Sequence, residues 1–372
     1  MDAQYHRKIT IDESVGLLLT HRCNLNCVYC YVSNKRNIDM TFTRAVEILT
    51  PLLKKSAGTL QIMLMGGEPL LAFDVIVSLI EWLESHSWDR QYFVFASTNG
   101  TLLNDRMKSW FKTHSSVIAL GLSFDGIPTV QKSNRGCDKI DLDFFRETWP
   151  LQRVQMTITS DSVDRMAEGV IYLLEKGFKV HPNVAYQEDE WPLEQVYEYG
   201  SQLNKLIYYY FSHPSKPLIK QFIHDINEYA HNVDYPPEWK GACGAGCGFS
   251  VYDSEGKQYP CHLLSPLVSN EDQIDRIKQF TKEDFSNCLS VECKICPFVN
   301  SCSTCVGSNY IYRKNLSQRD KTHCLIMKLE VKAFVKMEFL RLSNKSRISS
   351  SDAVEIDSIK KLFYNSLVEL DF

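Results

Sequence analysis

Three cysteines in the run Cys23-Asn24-Leu25-Asn26-Cys27-Val28-Tyr29-Cys30 follow directly on the apolar segment Val15-Gly16-Leu17-Leu18-Leu19. Thiolates suit soft metal centres, and full protein ligation of a four-iron cluster takes four of them. A C-x3-C-x2-C triad with no nearby fourth cysteine therefore predicts a [4Fe-4S] cluster whose last iron is left open for something else. A zinc knuckle is the plainer alternative. Zinc sites close with four ligands, however, and no partner follows at zinc-like spacing.

Three further strings lie where short apolar runs end. Met65-Gly66-Gly67-Glu68-Pro69 pairs glycines, which let a ligand approach the backbone, with a carboxylate that can accept a charge-assisted hydrogen bond from an ammonium group. Ser97-Thr98-Asn99-Gly100 and Ser123-Phe124-Asp125-Gly126, with Arg135 beyond, offer short hydroxyls and a guanidinium suited to the oxygens of a polar ligand. Tight-turn chemistry accounts for their glycines equally well.

Eight more cysteines form a sparse order late in the chain: Cys243-x3-Cys247, then Cys261, then Cys293-x2-Cys296-x5-Cys302-x2-Cys305, and finally Cys324. Eight is the number that closes two four-iron clusters. A paired zinc ribbon is the alternative. His262, directly after Cys261, is a candidate catalytic base, since an imidazole near its ordinary pKa can remove a proton at neutral pH. Hydrogen bonding beside a cluster is its plainer role. Cys137 and Cys288 are left as buried or free thiols.

The elements that position these groups alternate short apolar runs with amphipathic segments of helical length, which is the pattern of βα units around a parallel sheet. Strands are predicted at Gly16–Thr20, Leu60–Met65, Tyr92–Ser97, Ile118–Ser123, Val154–Thr159 and Val180–Ala185. Helices are predicted around Phe42–Lys55, Phe73–Ser85, Asp105–His114, Asp141–Trp149, Ser162–Glu175 and Leu193–Phe211, with Thr41 and Ser162 as N-caps and Gly177 as a C-terminal stop. Six such units make an incomplete (β/α)6 barrel, and Cys23, Gly66, Thr98 and Ser123 all fall at the carboxyl ends of its strands, where parallel βα folds gather their sites. The expected division is residues 1–212 for the barrel, 213–240 for a turn-rich linker bracketing a helix, 241–327 for the cysteine-rich module and 328–372 for C-terminal helices.

Length and composition agree with two domains, since 372 residues with 44% hydrophobic and 23% charged are ordinary for a globular protein. A net charge of −4 gives no footprint for nucleic acid. No apolar stretch is long enough for a membrane span and the amino terminus is polar, so the expected location is cytoplasmic. Thirteen cysteines in such a chain argue for metal or redox work rather than disulfides.

The triad, with the aromatic Tyr29 before its last cysteine, and the Gly66-Gly67-Glu68 string one strand later resemble the radical S-adenosylmethionine (SAM) enzymes. The eight-cysteine order resembles their SPASM domain, a C-terminal extension of members that modify peptides and proteins. The resemblance implies an α/β fold, a partial (β/α)6 radical SAM barrel followed by a cysteine-rich SPASM iron–sulfur domain. It implies that SAM is chelated at the open iron of the Cys23/Cys27/Cys30 cluster and cleaved to a 5′-deoxyadenosyl radical. Tyr29, Gly66, Gly67, Glu68, Thr98, Asn99, Ser123, Asp125 and Arg135 become candidate SAM-binding residues. Carried over by position, Cys243, Cys247, Cys261 and Cys305 would hold one auxiliary [4Fe-4S] cluster and Cys293, Cys296, Cys302 and Cys324 a second, three clusters in all.

Some positions depart from the family pattern. Gln131 stands where relatives often carry histidine, the last gap of the cysteine tetrad is one residue short, and the first cysteine pair is closely spaced. The implied activity is that of a peptide maturase forming a thioether or carbon–carbon cross-link on a ribosomally made precursor peptide, with a flavodoxin- or ferredoxin-type reductant. A short stretch before the first strand leaves leader binding to a separate protein or to the barrel and C-terminal helices. The alternatives are an anaerobic sulfatase maturase, whose aspartate base is replaced here by His262, and an iron–sulfur electron carrier without radical chemistry, which has no use for Gly66-Gly67-Glu68.

Overall fold

The computed structural model describes residues 11–56, 58–186, 190–223, 244–296, 298–299, 302, 304–344, 356–357 and 359–360. The chain falls into two compact units. The first comprises Met1–Ser123, Arg135–Gln152 and Cys243–Phe285, and the second Phe124–Asn134, Arg153–Ala242 and Ser286–Phe372. The helix expected in the linker, most of the last C-terminal helix and Cys243 lie outside the described residues.

The first unit is built on a sheet of order β4-β3-β2-β1-β7-β8, with β1 at Glu13–Thr20, β2 at Thr59–Gly66, β3 at Gln91–Thr98, β4 at Ile118–Leu122, β7 at Phe249–Tyr252 and β8 at Gln258–Tyr259. β1 to β4 and β7 run parallel, and β8 returns antiparallel to β7. A strand paired on both edges and covered on both faces should be apolar throughout rather than alternating. In β1, Leu17, Leu18 and Leu19 are each fully buried, worth about 1.5–3 kcal/mol apiece in area removed from water.

β1 to β4 lie where the sequence predicts strands, whereas β7 carries no such signal. This strand comes from the cysteine-rich segment and pairs with β1 in the register Ser14↔Phe249 to Leu17↔Tyr252. Gly16 makes room for it, because a Cβ there would stand 2.8 Å from both Val251 Cγ2 and Met65 Sδ.

In the second unit, β5 at Arg153–Ile158 and β6 at Lys179–Val184 form a separate two-stranded parallel sheet, both at their expected places. α6 at Met166–Glu175 and α7 at Leu193–Ser212 follow these strands. Thr41 caps α1, Phe42–Leu53, by accepting from Arg44 N at 3.2 Å, and Gly177 takes a φ of 85° after α6, as expected. Ser162 is not the N-cap expected of it. Thr159 caps a 3-10 turn over Ser160–Arg165, and Ser162 sits at its third position, closing a reciprocal capping box ahead of α6. A long helix, Lys321–Ser343, contributes Met327, Val331, Phe334 and Val335 to a core with Phe298 and Ile359, against which Cys296 and Cys302 pack. Among the described residues no helix is long and apolar enough to cross a membrane.

Candidate active site

At the carboxyl end of β1 the chain turns into the loop of Cys23, Cys27 and Cys30, all three half-buried. The loop is pinned from several directions. Thr20 Oγ1 donates to Asp39 Oδ1 at 2.5 Å, the Arg22 guanidinium pairs with the same carboxylate, and Lys35 Nζ donates to Leu25 O at 2.8 Å and to Asn26 Oδ1 at 3.0 Å. Cys30 N donates to Cys27 O at 3.1 Å, closing a turn between these two thiols. Burial pushes the Cys23 thiol above its usual range, and Cys30 lies near enough to add to the effect.

The glycine loop after β2 is laced to this one through the backbone. Gly67 N donates to Thr20 O at 3.0 Å and Glu68 N to Arg22 O at 2.9 Å. Both glycines are required by this approach: a Cβ on Gly66, whose φ is +152°, would stand 2.2 Å from Thr20 O, and one on Gly67 2.4 Å from Arg22 O. The geometry thus assigns the Gly66-Gly67 pair to seating one loop against the other.

Glu68 is 1% exposed and receives three donors: Thr98 Oγ1 at 2.8 Å and Leu70 N at 3.1 Å on Oε1, and Asn99 N at 2.8 Å on Oε2. Burial dominates and raises its pKa, while these donors and the Arg135 charge pull it back. An ionised carboxylate has about four acceptor sites, so one remains on Oε2. Asn99 Nδ2 donates to Asn24 Oδ1 at 3.0 Å, and Asn24 Nδ2 to Thr101 Oγ1 at 2.7 Å, which joins the β3 loop to the cysteine loop. The Arg135 guanidinium lies 5.3 Å over the Tyr29 ring, a cation–π distance. Ser123 N donates to Thr98 O at 2.9 Å.

Asp125 belongs to the second unit. Its Oδ1 accepts from Thr157 N at 3.0 Å, its Oδ2 accepts from Asn134 Nδ2 at 3.3 Å, and its own N donates to Gln131 Oε1 at 2.9 Å, so this fully buried carboxylate organises the turn after β4. The first unit therefore holds the Cys23 triad, Tyr29, Gly66, Gly67, Glu68, Thr98, Asn99, Ser123 and Arg135.

Cys247 and buried Cys261 sit on neighbouring turns, joined by Gly246 N donating to Pro260 O at 3.3 Å. A cavity of about 560 Å³ opens beside Cys247. His262 is half-buried with its ring centroid 5.2 Å from that of Tyr31, and its Nδ1 has no hydrogen-bond partner among the described residues. Burial holds the imidazole down to about 4, so it is neutral at pH 7 and a weak proton acceptor. Cys305, in the second unit, caps the helix Val306–Arg313 by accepting from Ser308 N. Cys137 is half-buried and Cys288 buried.

In the second unit the thiols of Cys293, Cys296, Cys302 and Cys324 lie close enough to act on one another. Burial, reinforced chiefly by Cys302, pushes Cys324 up to about 11, and burial likewise raises Cys302. Arg319 Nη1 donates to Cys302 Sγ at 2.9 Å. The sequence held no signal for this contact, because Arg319 lies 17 residues away in an unremarkable polar run. Among the described residues no three His, Cys, Asp or Glu side chains converge tightly enough for a single metal ion. Three or four cysteine thiols have the donor chemistry of an iron–sulfur cluster, whose ligand sulfurs are spread over a cubane.

Residues 17–199 match the model of the radical SAM superfamily. An uncharacterized protein of Methanocaldococcus jannaschii is 30% identical over 171 residues, 44% of this chain and 59% of that one, so the chain spans less than two thirds of that relative. The radical SAM cyclopropyl synthase TigE of Paramaledivibacter caminithermalis is 21% identical over 371 residues, covering 88% of this chain and 74% of its own. AlbA of Bacillus subtilis, an antilisterial bacteriocin subtilosin biosynthesis protein, is 25% identical over 340 residues, with 80% and 69% covered. Among solved structures, native anSMEcpe with bound AdoMet has the same fold, with a TM-score of 0.66 at 19% identity over 89% of this chain and 98% of that one.

Proposed function

Residues 17–199 of this chain are a radical SAM domain, and from that premise we propose that the protein is a SPASM-containing peptide maturase. It would act on a residue of a ribosomally made precursor peptide and join it to a neighbour through a thioether or carbon–carbon bond. The observation that carries this reading is the second set of cysteines, Cys293, Cys296, Cys302 and Cys324, held within the second unit in addition to the Cys23 triad of the first. A carrier of single electrons needs no SAM site, and a SAM enzyme that only cleaves its cofactor needs no further cluster. The kinship with AlbA, a bacteriocin biosynthesis protein, supports a peptide as substrate.

When bound, the clusters and SAM supply a hydrogen-abstracting radical and a route for the electron that the substrate gives up. The chain's own residues orient and enclose these groups. Cys23, Cys27 and Cys30 hold the first cluster. Glu68 receives the SAM ammonium on its remaining acceptor site, with Thr98 and Asn99 fixing the carboxylate in place. Arg135, stacked on Tyr29, and Ser123 face the carboxylate and ribose. Cys243, Cys247, Cys261 and Cys305 hold one auxiliary cluster, and Cys293, Cys296, Cys302 and Cys324 the other, with residues 1–212 serving as barrel, 213–240 as linker, 241–327 as SPASM domain and 328–372 as C-terminal helices. His262, held neutral and only weakly basic, keeps the plainer role of a hydrogen-bonding group beside the cluster. A flavodoxin- or ferredoxin-type protein delivers the electron, and a separate protein or the chain itself binds the leader.

Anaerobically reconstituted protein is expected to carry about twelve irons, as three four-iron clusters require, and to form 5′-deoxyadenosine with dithionite and SAM. Cys23→Ala should abolish that cleavage. Cys302→Ala should keep part of it and lose cross-linked peptide. About four irons with zinc in the other sites, or no deoxyadenosine from fully loaded protein, would overturn the reading. Formylglycine on a sulfatase-derived peptide in place of a cross-link would transfer it to the sulfatase maturases.

A further inference from the structure

The second unit contains a cavity of about 90 Å³ near the carboxyl end of β6, and no residue of the proposed SAM site lines it. Two of its lining residues, Cys302 and Cys324, belong to the distal thiol set, while Cys293 and Cys296 do not line it. Val184, Ile326 and Met327 provide apolar wall. Lys220 and Arg319 provide positive charge; of the two acids in the lining, Asp320 is paired with Arg313 at 2.7 Å and Glu330 is held by Tyr199 and Gln221.

Lys220 is the unusual member. It sits on a 3-10 turn, Lys220–Phe222, that is anchored by Gln221, whose Nε2 donates to Pro182 O at 3.1 Å and to Glu330 Oε1 at 3.3 Å. The turn aims Nζ at Asn183 Oδ1, 2.8 Å away. Among the described residues no carboxylate lies within salt-bridge distance of this ammonium group. Glu330, the acid that acts on it through space, spends Oε1 on Tyr199 OH at 2.5 Å and on Gln221, and burial favours its neutral form. Burial also keeps the nearby His181 imidazole neutral, at about 4. A half-buried ammonium group has three donors, and the described contacts of Lys220 use one of them, on the Asn183 amide oxygen.

We propose that this cavity is a carboxylate subsite, in which Lys220 receives the carboxylate of a ligand whose aliphatic stem lies against Val184, Ile326 and Met327, with Arg319 as a second cation at its wall. The carboxylate has two possible sources, an acidic side chain of the substrate peptide and a free small acid. Only the first rests on the function proposed above.

Calorimetry on the reconstituted full chain distinguishes them, with acetate as the free acid and N-acetyl-glutamate α-amide as the side-chain mimic. Both are expected to bind saturably if a peptide side chain is the ligand, and acetate alone if a free acid is. Lys220→Met should weaken either at least about tenfold, the loss of one charge-assisted hydrogen bond, while Lys220→Arg keeps binding within a few-fold. Acetate should raise the melting temperature of the wild type and leave that of Lys220→Met unchanged, and ligand-free Lys220→Met should melt no lower than wild type. If Lys220→Met does not accumulate, Lys220→Gln reads the same loss. Equal binding by wild type and variant, or no saturable binding of either probe because Lys220 is already paired within the chain, would overturn the subsite. Deoxyadenosine formation, measured without either probe, tests the radical SAM reading separately.

Discussion

Glu68 and Glu330 are both carboxylates largely taken out of water, and burial raises the pKa of each. They are held in opposite ways. Glu68 is gripped on both oxygens, two of its three donors being backbone amides, Leu70 N and Asn99 N, that cannot move without moving a loop. Glu330 is held on Oε1 alone by two side chains, the Tyr199 hydroxyl and the Gln221 amide, which come from different segments. An acid fixed by main-chain donors is set once the loop folds and is suited to meeting a cation of fixed geometry. One fixed by side chains is suited to adjusting its charge to its surroundings.

The largest expected effect tests the rigidity of the Glu68 side. Gly67→Ala drives a Cβ toward Arg22 O, 2.4 Å away, and one loop must leave the other. Protein carrying this change should lose about four of its twelve irons and all deoxyadenosine formation. Retention of a full cluster complement would show that the two loops are not interdependent. Next, Glu68→Gln brings an amide donor against a donor already present at Asn99 N or Thr98 Oγ1. It should weaken SAM binding about 10- to 100-fold, the worth of a charged hydrogen bond. SAM affinity equal to wild type would remove the ammonium assignment.

Glu330→Gln is the mild counterpart, since the amide nitrogen can replace Oε2 without meeting a donor among the described residues. Stability in urea near pH 5 should change by less than about 1 kcal/mol. The folded pKa of Glu330 lies above its ordinary value of 4.5, so its contribution is fully present below that value and is lost as pH rises through the folded pKa. The variant lacks this titration and should gain on wild type as the pH is raised from 5 to 8. A constant difference over that range would mean that Glu330 is ionised throughout.

The same contrast explains what could be read from the sequence. Glu68 was legible because its surroundings are local: two glycines, a proline and the end of a strand. All six βα strands were legible for a similar reason, each being an apolar run that a single window contains. β7 was not, because Phe249–Tyr252 is only four residues long and becomes a strand by pairing with β1, more than two hundred positions earlier. Thr159 and Ser162 are both good caps, and only the 3-10 turn between them decides that Thr159 takes the N-cap. Lys220, Gln221, Tyr199 and Glu330 carry no motif; Asn183 and the fold bring them together from three separate segments.

The parallel seam between β1 and β7 also limits how such a protein can be recombined. A chimera joining this barrel to the cysteine-rich segment of a relative just ahead of Cys247 would import a foreign stave against β1, and the side chain opposite Gly16 would have to be no larger than Val251, which already fills the room that glycine leaves. Crossovers placed after Tyr252 keep the native pair together. Gene shuffling within such a lineage should therefore leave its scars downstream of this strand.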